Sequence, residues 1–108
     1  LASCTAEHDW YPSGEVEVLD RYTLGSYVSF APTATVVYRV SNDGDSEATI
    51  VATTISLELV TDIHTYHRTV VDTSRIRFGH HVYGLFETVL REEGEQLEEV
   101  TITDVCFE

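Results

Sequence analysis

Residues 34–41 read ATVVYRVS, and this alternation of apolar and polar side chains decides the fold class. In an extended strand, Val36, Tyr38 and Val40 lie on one face and Arg39 on the other. The chain also contains 14 Val and 14 Thr, and β-branched residues favour strands. Similar alternation recurs in five other short runs, at 15–18, 55–59, 75–78, 82–90 and 100–107.

Turn-forming sequences separate these runs: SNDGDS at 41–46, FGHH at 78–81 and EEGEQ at 92–96. The one helix candidate, 87–99, is interrupted by Gly94. We therefore predict an all-β chain, a single antiparallel Ig-like β-sandwich of about seven strands over residues 1–108. Residues 1–14 are either its first strand or an extended N-terminal arm.

The alternation also predicts which side chains face the core. The inward set contains Val16 and Val18, then Ile55, Leu57 and Leu59, then Val82, Phe86 and Leu90, and finally Val100, Ile102 and Cys106. Asp104 shares the alternation of this last group and is predicted on the same side. A carboxylate there would lie past the core edge or pair with an Arg.

The charge of the chain is strongly one-sided. Asp and Glu total 19 against 6 Arg, and Lys is absent, for a net charge of −13. Such a charge repels itself in dilute buffer, whereas at molar salt the screening length falls to about 3 Å. The composition predicts an acidic protein of a halophile, most often a haloarchaeon. It also argues against a nucleic-acid partner, because no basic patch exists to release counterions.

Residues 36–51, VVYRVSNDGDSEATIV, resemble the first hairpin of the Ig-like domains found in archaeal and bacterial surface proteins and lipoproteins, the CARDB and FxLYD groups. Asn42, Gly44, Ala48 and Ile50 occupy the positions of the Asn-x-Gly turn and the second apolar strand. The resemblance implies a surface location and a binding or scaffolding role, and it implies no catalytic residues. GHHVYGLF stands where the usual Pro-Gly-Glu turn of the family would be.

The two cysteines, Cys4 and Cys106, have two interpretations. LASC at residues 1–4 has the residue types of a lipoprotein cleavage site, which would make Cys4 a lipid anchor. Alternatively, Cys4 and Cys106 form a disulfide, which an even pair in an exported chain favours. In the chain-entropy account, closing so long a loop stabilises by about 4–5 kcal/mol. The chain contains no Met and begins at Leu1, which predicts either a longer precursor that was cut or a sequence that is only part of its chain, with a signal peptide as the natural missing piece.

Other chemical constellations are sparse. His64, His67, His80 and His81 are the metal-ligand candidates, but adjacent strand positions point to opposite faces, and zinc requires three or four converging ligands. No Ser-His-Asp set or nucleophile elbow occurs. No cofactor is expected, and the Glu residues at 92–99 are interpreted as a solvated acidic face.

These observations predict a non-enzymatic extracellular protein. The first hypothesis is a structural subunit that self-assembles into a surface filament or layer, pilus-like and by strand sharing. Trp10, Tyr11, Val16 and Val18 are its candidate assembly residues. The alternative is a lipid-anchored surface module that binds a partner protein or a solute. In either case the membrane is contacted only through a lipid on Cys4.

Overall fold

The computed structural model describes residues 13–25, 31–44 and 47–108, which form six β-strands. No helix occurs in these three ranges. The prediction of an all-β protein is therefore confirmed, with six strands in place of about seven. The strands are β1 (Glu15–Leu24), β2 (Thr33–Ser41), β3 (Thr53–Thr61), β4 (Thr65–Asp72), β5 (His81–Val89) and β6 (Leu97–Phe107).

The strands form two antiparallel sheets, in the orders β1-β2-β5 and β4-β3-β6. Each sheet turns one face inward, and the side chains of these two faces form the core. The central strands supply most of the fully enclosed residues, as the alternation predicted. These are Val36, Tyr38 and Val40 from β2 and Ile55, Leu57 and Leu59 from β3.

Two predicted strand assignments differ from the structure. Residues 75–78 contribute only an isolated bridge, in which the backbones of Ile76 and Ile50 exchange hydrogen bonds of 2.8 and 2.9 Å. The local hairpin expected at 36–51 is not formed. After β2 the chain crosses to the other sheet and begins β3 at Thr53, so β2 is flanked by β1 and β5.

One strand, β4, was not predicted at all. Its sequence, TYHRTVVD, places Tyr66 and Val70 inward, but Arg68 interrupts the apolar alternation between them. Tyr66 is 2 % exposed. The strand forms because its backbone pairs with β3 over eight consecutive positions, a tertiary contact that outweighs the weak local pattern.

A β-bulge interrupts β6 near its middle. Ser56 of β3 pairs with Asp104, whereas the next residue, Leu57, pairs with Ile102. Thr103 is therefore the extra residue, and its hydroxyl donates a hydrogen bond of 3.2 Å to the Ser56 carbonyl.

The bulge reverses the orientation predicted for the end of β6. Beyond it, Phe107 packs against the core. Cys106 pairs with Thr54, and Asp104 with Ser56, on the outer face of the sheet. The prediction that Cys106 and Asp104 face the core is therefore wrong, because a single inserted residue exchanges the two faces for every later side chain.

Asn42 fixes the chain where β2 ends. Its side chain is fully buried, and its Nδ2 donates to the carbonyls of Ala48 and Ile76, both at 2.8 Å. Its backbone N–H donates to the His80 carbonyl at 2.9 Å. Asn42 thus holds the segment that leads into β5.

Candidate functional site

The outer face of the β1-β2-β5 sheet carries large apolar side chains. Pairing with the outward residues of β2 defines its rows: Leu24 and Val89 both lie beside Thr33, and Leu85 lies beside Val37. Tyr22 and Tyr83 lie on the same face, beside Thr35 and Arg39. We call this surface the apolar face and define it by five residues: Tyr22, Leu24, Tyr83, Leu85 and Val89.

These side chains are substantially solvent-exposed. Val89 is 64 % exposed, Tyr83 62 %, and Leu24 and Leu85 53 % each. Scattered exposed apolar residues are ordinary, but a cluster on one sheet face is typical of an interaction surface.

Charged residues lie within the rows of the apolar face. Arg39 forms an ion pair with Glu17, with 2.6 Å between Nη2 and Oε2, and the Glu17 carboxylate raises the pKa of Arg39 above its ordinary value. Both side chains are solvated, so the pair adds little stability. Asp20 shares a row with Leu85, and Glu87 shares one with Tyr22. Acids therefore lie beside the large apolar side chains of this face.

The outer face of the β4-β3-β6 sheet has a different chemistry. Glu58 lies between Thr101 and His67, and each remaining row contains Thr or Ser beside residues of other kinds. We call it the hydroxyl face and define it by Thr54, Ser56, Thr65, Thr69 and Thr101. Val71 is its one strongly exposed large apolar residue among the described positions, at 61 %.

A buried carboxylate anchors the connection between β5 and β6. The Glu95 carboxylate is fully enclosed, and it accepts hydrogen bonds from the hydroxyls of Thr61 and Tyr66. The backbone N–H groups of Arg91 and Glu92 also donate to it, both at 3.1 Å. The interpretation of 92–99 as a wholly solvated acidic face is therefore wrong at Glu95.

These contacts determine the ionisation of Glu95. Burial alone would raise the pKa of the carboxyl, but the hydrogen bonds from Thr61, the backbone and Tyr66 outweigh burial and hold the pKa below its ordinary value. Glu95 is thus a charged structural group, enclosed by the protein and without access for a ligand.

A second polar contact lies beneath β5. The Tyr38 hydroxyl donates a hydrogen bond of 2.6 Å to Asp72 Oδ2 and so joins the two sheets. Burial, followed by this bond, raises the pKa of Tyr38. The Tyr38 ring lies against the backbone of Gly84, where an added Cβ would overlap it. Gly84 therefore allows β5 to lie close over the core.

A groove of about 330 Å³ lies where the two sheets meet at β1 and β6. It is lined by Val18–Arg21 and by Leu97 and Glu98. Arg21 Nε donates to the Glu98 carbonyl at 3.1 Å, and the Leu97 N–H donates to Thr23 Oγ1 at 2.8 Å. The groove is thus a seam between the sheets, and its polar groups are engaged in closing it.

The histidines predicted as metal candidates lie apart. His64 is 3.4 Å from a Glu92 carboxylate oxygen, and His67 projects from the hydroxyl face beside Glu58. His80 precedes β5, and His81 stacks edge-on against Tyr83. Within the described ranges, no three His, Cys, Asp or Glu side chains come together as a metal site.

The described residues include only some of the predicted assembly residues and only one of the two predicted disulfide cysteines. Trp10, Tyr11 and Cys4 lie outside the described residues, so their roles stay predictions. Val16 and Val18 are half-buried and pack against the core. An assembly role for these two valines also stays a prediction, and the exposed apolar residues of β1 and β5 are the ones that sequence reasoning missed.

A signal for the missed residues does exist in the sequence. Residues 82–90, VYGLFETVL, are apolar on both faces, which is typical of a strand covered on both sides. Only Val82, Phe86 and Leu90 were assigned to the core, and Tyr83, Leu85 and Val89 were left without a role.

No protein-family model, curated protein or solved structure matches this chain. Across the described residues, no helix is long and apolar enough to cross a membrane. The class that the fold and the surface define is a six-stranded antiparallel β-sandwich with one apolar outer face.

Proposed function

We propose that the protein is a non-enzymatic extracellular structural module of a halophile that assembles with copies of itself through the apolar face. The observation that carries the proposal is the exposure of Leu24, Tyr83, Leu85 and Val89 on one sheet face of a chain whose net charge is −13. An apolar surface is retained against such a charge when contact with another surface covers it.

The charge makes self-assembly dependent on salt. In dilute buffer, two chains of this charge repel each other before their apolar surfaces meet. In molar salt the screening length of about 3 Å removes that barrier. A surface filament or layer of an organism living in brine would assemble under such conditions.

The partners of the shifted titratable groups support a structural role. Glu95 is sealed by Thr61, Tyr66 and two backbone N–H groups. Asp72 accepts bonds from the Tyr38 hydroxyl and the Ser74 N–H. Both groups hold loops and sheets together, and neither is positioned at an open cleft where a substrate would react.

Light scattering after size-exclusion chromatography in molar salt tests the proposal. We expect the wild-type chain to form assemblies that grow with concentration, and electron microscopy to show their form. Leu24→Glu should weaken association about 10- to 100-fold, because contact would desolvate an unpaired carboxylate. Val71→Glu is the matched control. It adds the same charge at a similarly exposed site on the hydroxyl face and should leave association unchanged.

Two results would count against the proposal. One is a wild-type chain that stays monomeric at every concentration in molar salt, which would favour the alternative of a surface module that binds a different protein. The other is an equal loss of association in both variants, because then charge and not the apolar face governs assembly.

A further inference from the structure

Among the six described strands four lie at sheet edges, and two of these protect each other. β1 and β6 meet across the seam, where Arg21 Nε and the Leu97 N–H make the sheet-to-sheet bonds. β1 also has a register shift between Val18 and Asp20, and β6 has two such shifts. Bulges and covering contacts are the usual devices that keep an edge from pairing with another chain.

The edge of β4 is covered by one of its own side chains. The Thr61 N–H donates a hydrogen bond to the His64 carbonyl. Along an antiparallel strand, successive residues direct their backbone groups alternately to the two sides, so the odd-numbered His67 directs its carbonyl to the free edge. Arg68 Nη1 donates to that carbonyl at 2.9 Å. A guanidinium group thus lies where an incoming strand would have to bond.

The edge of β5 has no such protection among the described residues. β5 pairs with β2 over nine positions without a register shift, and with no other described strand. The Asn42 N–H bonds the His80 carbonyl, and the Leu90 N–H bonds the Pro32 carbonyl. The even-numbered residues therefore bond β2, and the odd-numbered residues direct their N–H and C=O groups to the free edge.

The side chains of the same odd-numbered residues lie on the outer surface. Tyr83, Leu85 and Val89 belong to the apolar face, so the unpaired backbone edge and the apolar surface adjoin. Glu87 is the single charged residue of β5, whereas β1 and β6 each carry three acids. In a chain of this charge, a second copy therefore meets less repulsion at β5 than at β1 or β6, and the β4 edge is the one that Arg68 occupies.

We propose that β5 pairs antiparallel with β5 of a second copy, across a two-fold axis at Leu85. This inference rests on the proposed self-assembly and adds a strand-edge contact to the one made by the apolar face. In this register Leu85 lies opposite Leu85 of the second copy, Tyr83 opposite Glu87, and His81 opposite Val89. The whole strand then overlaps, with about ten new backbone hydrogen bonds.

Overlap of the whole strand selects this register over its neighbours. Because only odd-numbered residues present free backbone groups, registers change in steps of two residues, and each step moves the axis by one residue. An axis at Gly84 would leave Val89 without a partner in the opposing strand, and an axis at Phe86 would leave His81 without one. An axis at Glu87 would in addition place two carboxylates directly opposite each other, which is destabilising. The pairing at Leu85 also joins two apolar faces into one surface on a six-stranded sheet.

Leu85→Pro tests the pairing directly. Proline removes an N–H that points to the free edge and leaves the β2–β5 ladder intact, and edge strands tolerate it there. Leu85→Thr is the control, because it loses the same apolar side chain and keeps the N–H. In molar salt we expect association of the Pro variant to be at least about tenfold weaker than that of the Thr variant, with unchanged circular dichroism.

A cysteine at the axis gives a second and independent test. In a hydrogen-bonded antiparallel pair the Cα atoms lie about 5.5 Å apart, within the range that a disulfide spans. Leu85→Cys should therefore form a covalent dimer on mild oxidation. Val71→Cys, also an exposed odd-numbered residue of an edge strand, should not, and the wild-type chain controls for its own cysteines.

The outcomes separate this inference from the proposal beneath it. If the wild-type chain assembles, but the Pro and Thr variants associate equally and Leu85→Cys gives no more covalent dimer than Val71→Cys, the β5 pairing is wrong and self-assembly stands. If the wild-type chain is monomeric in molar salt, both are wrong. If the Pro variant fails to fold, the cysteine pair decides the matter alone.

Discussion

The two outer faces of the sandwich have the same backbone geometry and opposite chemistry. Both belong to antiparallel three-stranded sheets whose inner faces form the core. Outside, the β1-β2-β5 sheet presents Tyr83, Leu85 and Val89, whereas the β4-β3-β6 sheet presents Thr and Ser. Folding requires only the apolar residues of the inner faces. The exposed apolar residues on one outer face are therefore not explained by folding alone.

The contrast does not lie in the number of acids. The apolar face has Glu17, Asp20 and Glu87 in its rows, and the hydroxyl face has Glu58, Glu99 and Asp104. Charge is thus a property of both faces, while most of the strongly exposed large apolar side chains on the two faces lie on one of them. The proposed solubility in brine and the proposed assembly thus depend on different residues, and each can be tested without the other.

The largest expected effect is that of salt, which should act on both faces alike. With 19 acids against 6 Arg, moving from molar to low salt should lower the Tm by about 20 °C or more, because repulsion is no longer screened. Circular dichroism melting across a salt series measures it. A Tm that does not change with salt would remove the halophilic interpretation and leave the apolar face as the one unusual feature.

The next largest effect concerns how β5 is held above the core. Gly84→Ala should lower the free energy of unfolding by about 2–3 kcal/mol, because its Cβ overlaps the Tyr38 ring and displaces the hydroxyl from Asp72. Urea denaturation in molar salt measures the change. Gly25→Ala is the control, since a Cβ there meets no neighbouring atom. Equal effects of the two changes would show that β5 does not depend on this close approach.

The third prediction concerns Glu95, a buried acid that should contribute more to stability than the exposed acids do. Glu95→Gln should cost about 2 kcal/mol at neutral pH, because the charge-assisted bonds from Thr61 and Tyr66 are lost. Glu93→Gln, at an exposed neighbour, should cost almost nothing. Chemical denaturation of both variants measures these differences.

The pH dependence of this cost follows from the direction of the pKa shift. The pKa of Glu95 is lower in the folded chain than its ordinary value, so its stabilisation is complete above the unfolded pKa of about 4.3. It is lost as the pH falls through the folded pKa. The gap between wild type and Glu95→Gln should therefore narrow on acidification below about pH 4. A constant gap would mean that the carboxyl does not titrate with this shift.

The smallest expected effect is on the stability of the separated chain. Leu24→Thr and Val71→Thr should each change the free energy of unfolding by less than about 0.5 kcal/mol at high dilution, because both side chains are already exposed. Thermal melts of dilute samples test this. A larger loss of unfolding free energy for Leu24→Thr alone would show that the apolar face contributes to folding. The difference between the two outer faces would then need no role after folding.

Much of the fold could be predicted because it depends on local alternation. Val36, Tyr38 and Val40 of β2 and Ile55, Leu57 and Leu59 of β3 have the inward orientation that the sequence indicated. β4 was missed because Arg68 breaks the pattern, and its pairing with β3 is a tertiary contact. The bulge at Thr103 was missed because an extra residue in one strand is defined only against the register of its partner.

The candidate site was harder to predict than the core. Alternation tells which side chains share a face, but it does not tell whether anything covers the second face of a strand. The sequence shows that Tyr83, Leu85 and Val89 have large apolar side chains, but it does not show that these side chains are exposed to solvent. The burial of Glu95 could not be predicted for a related reason. Glu95 lies in an acidic run that is typical of a solvated surface, and its buried position follows the turn at Gly94, which has a positive φ of 73°.

The buried Asn42 has a consequence for the chemical ageing of the protein. It is the one Asn of a chain that contains no Met, so the side chains most prone to spontaneous deamidation and to thioether oxidation are nearly absent. The amide of this single Asn is shielded from water, with its nitrogen held between two carbonyls. A molecule of this kind accumulates such damage slowly, so its chemical lifetime should be long.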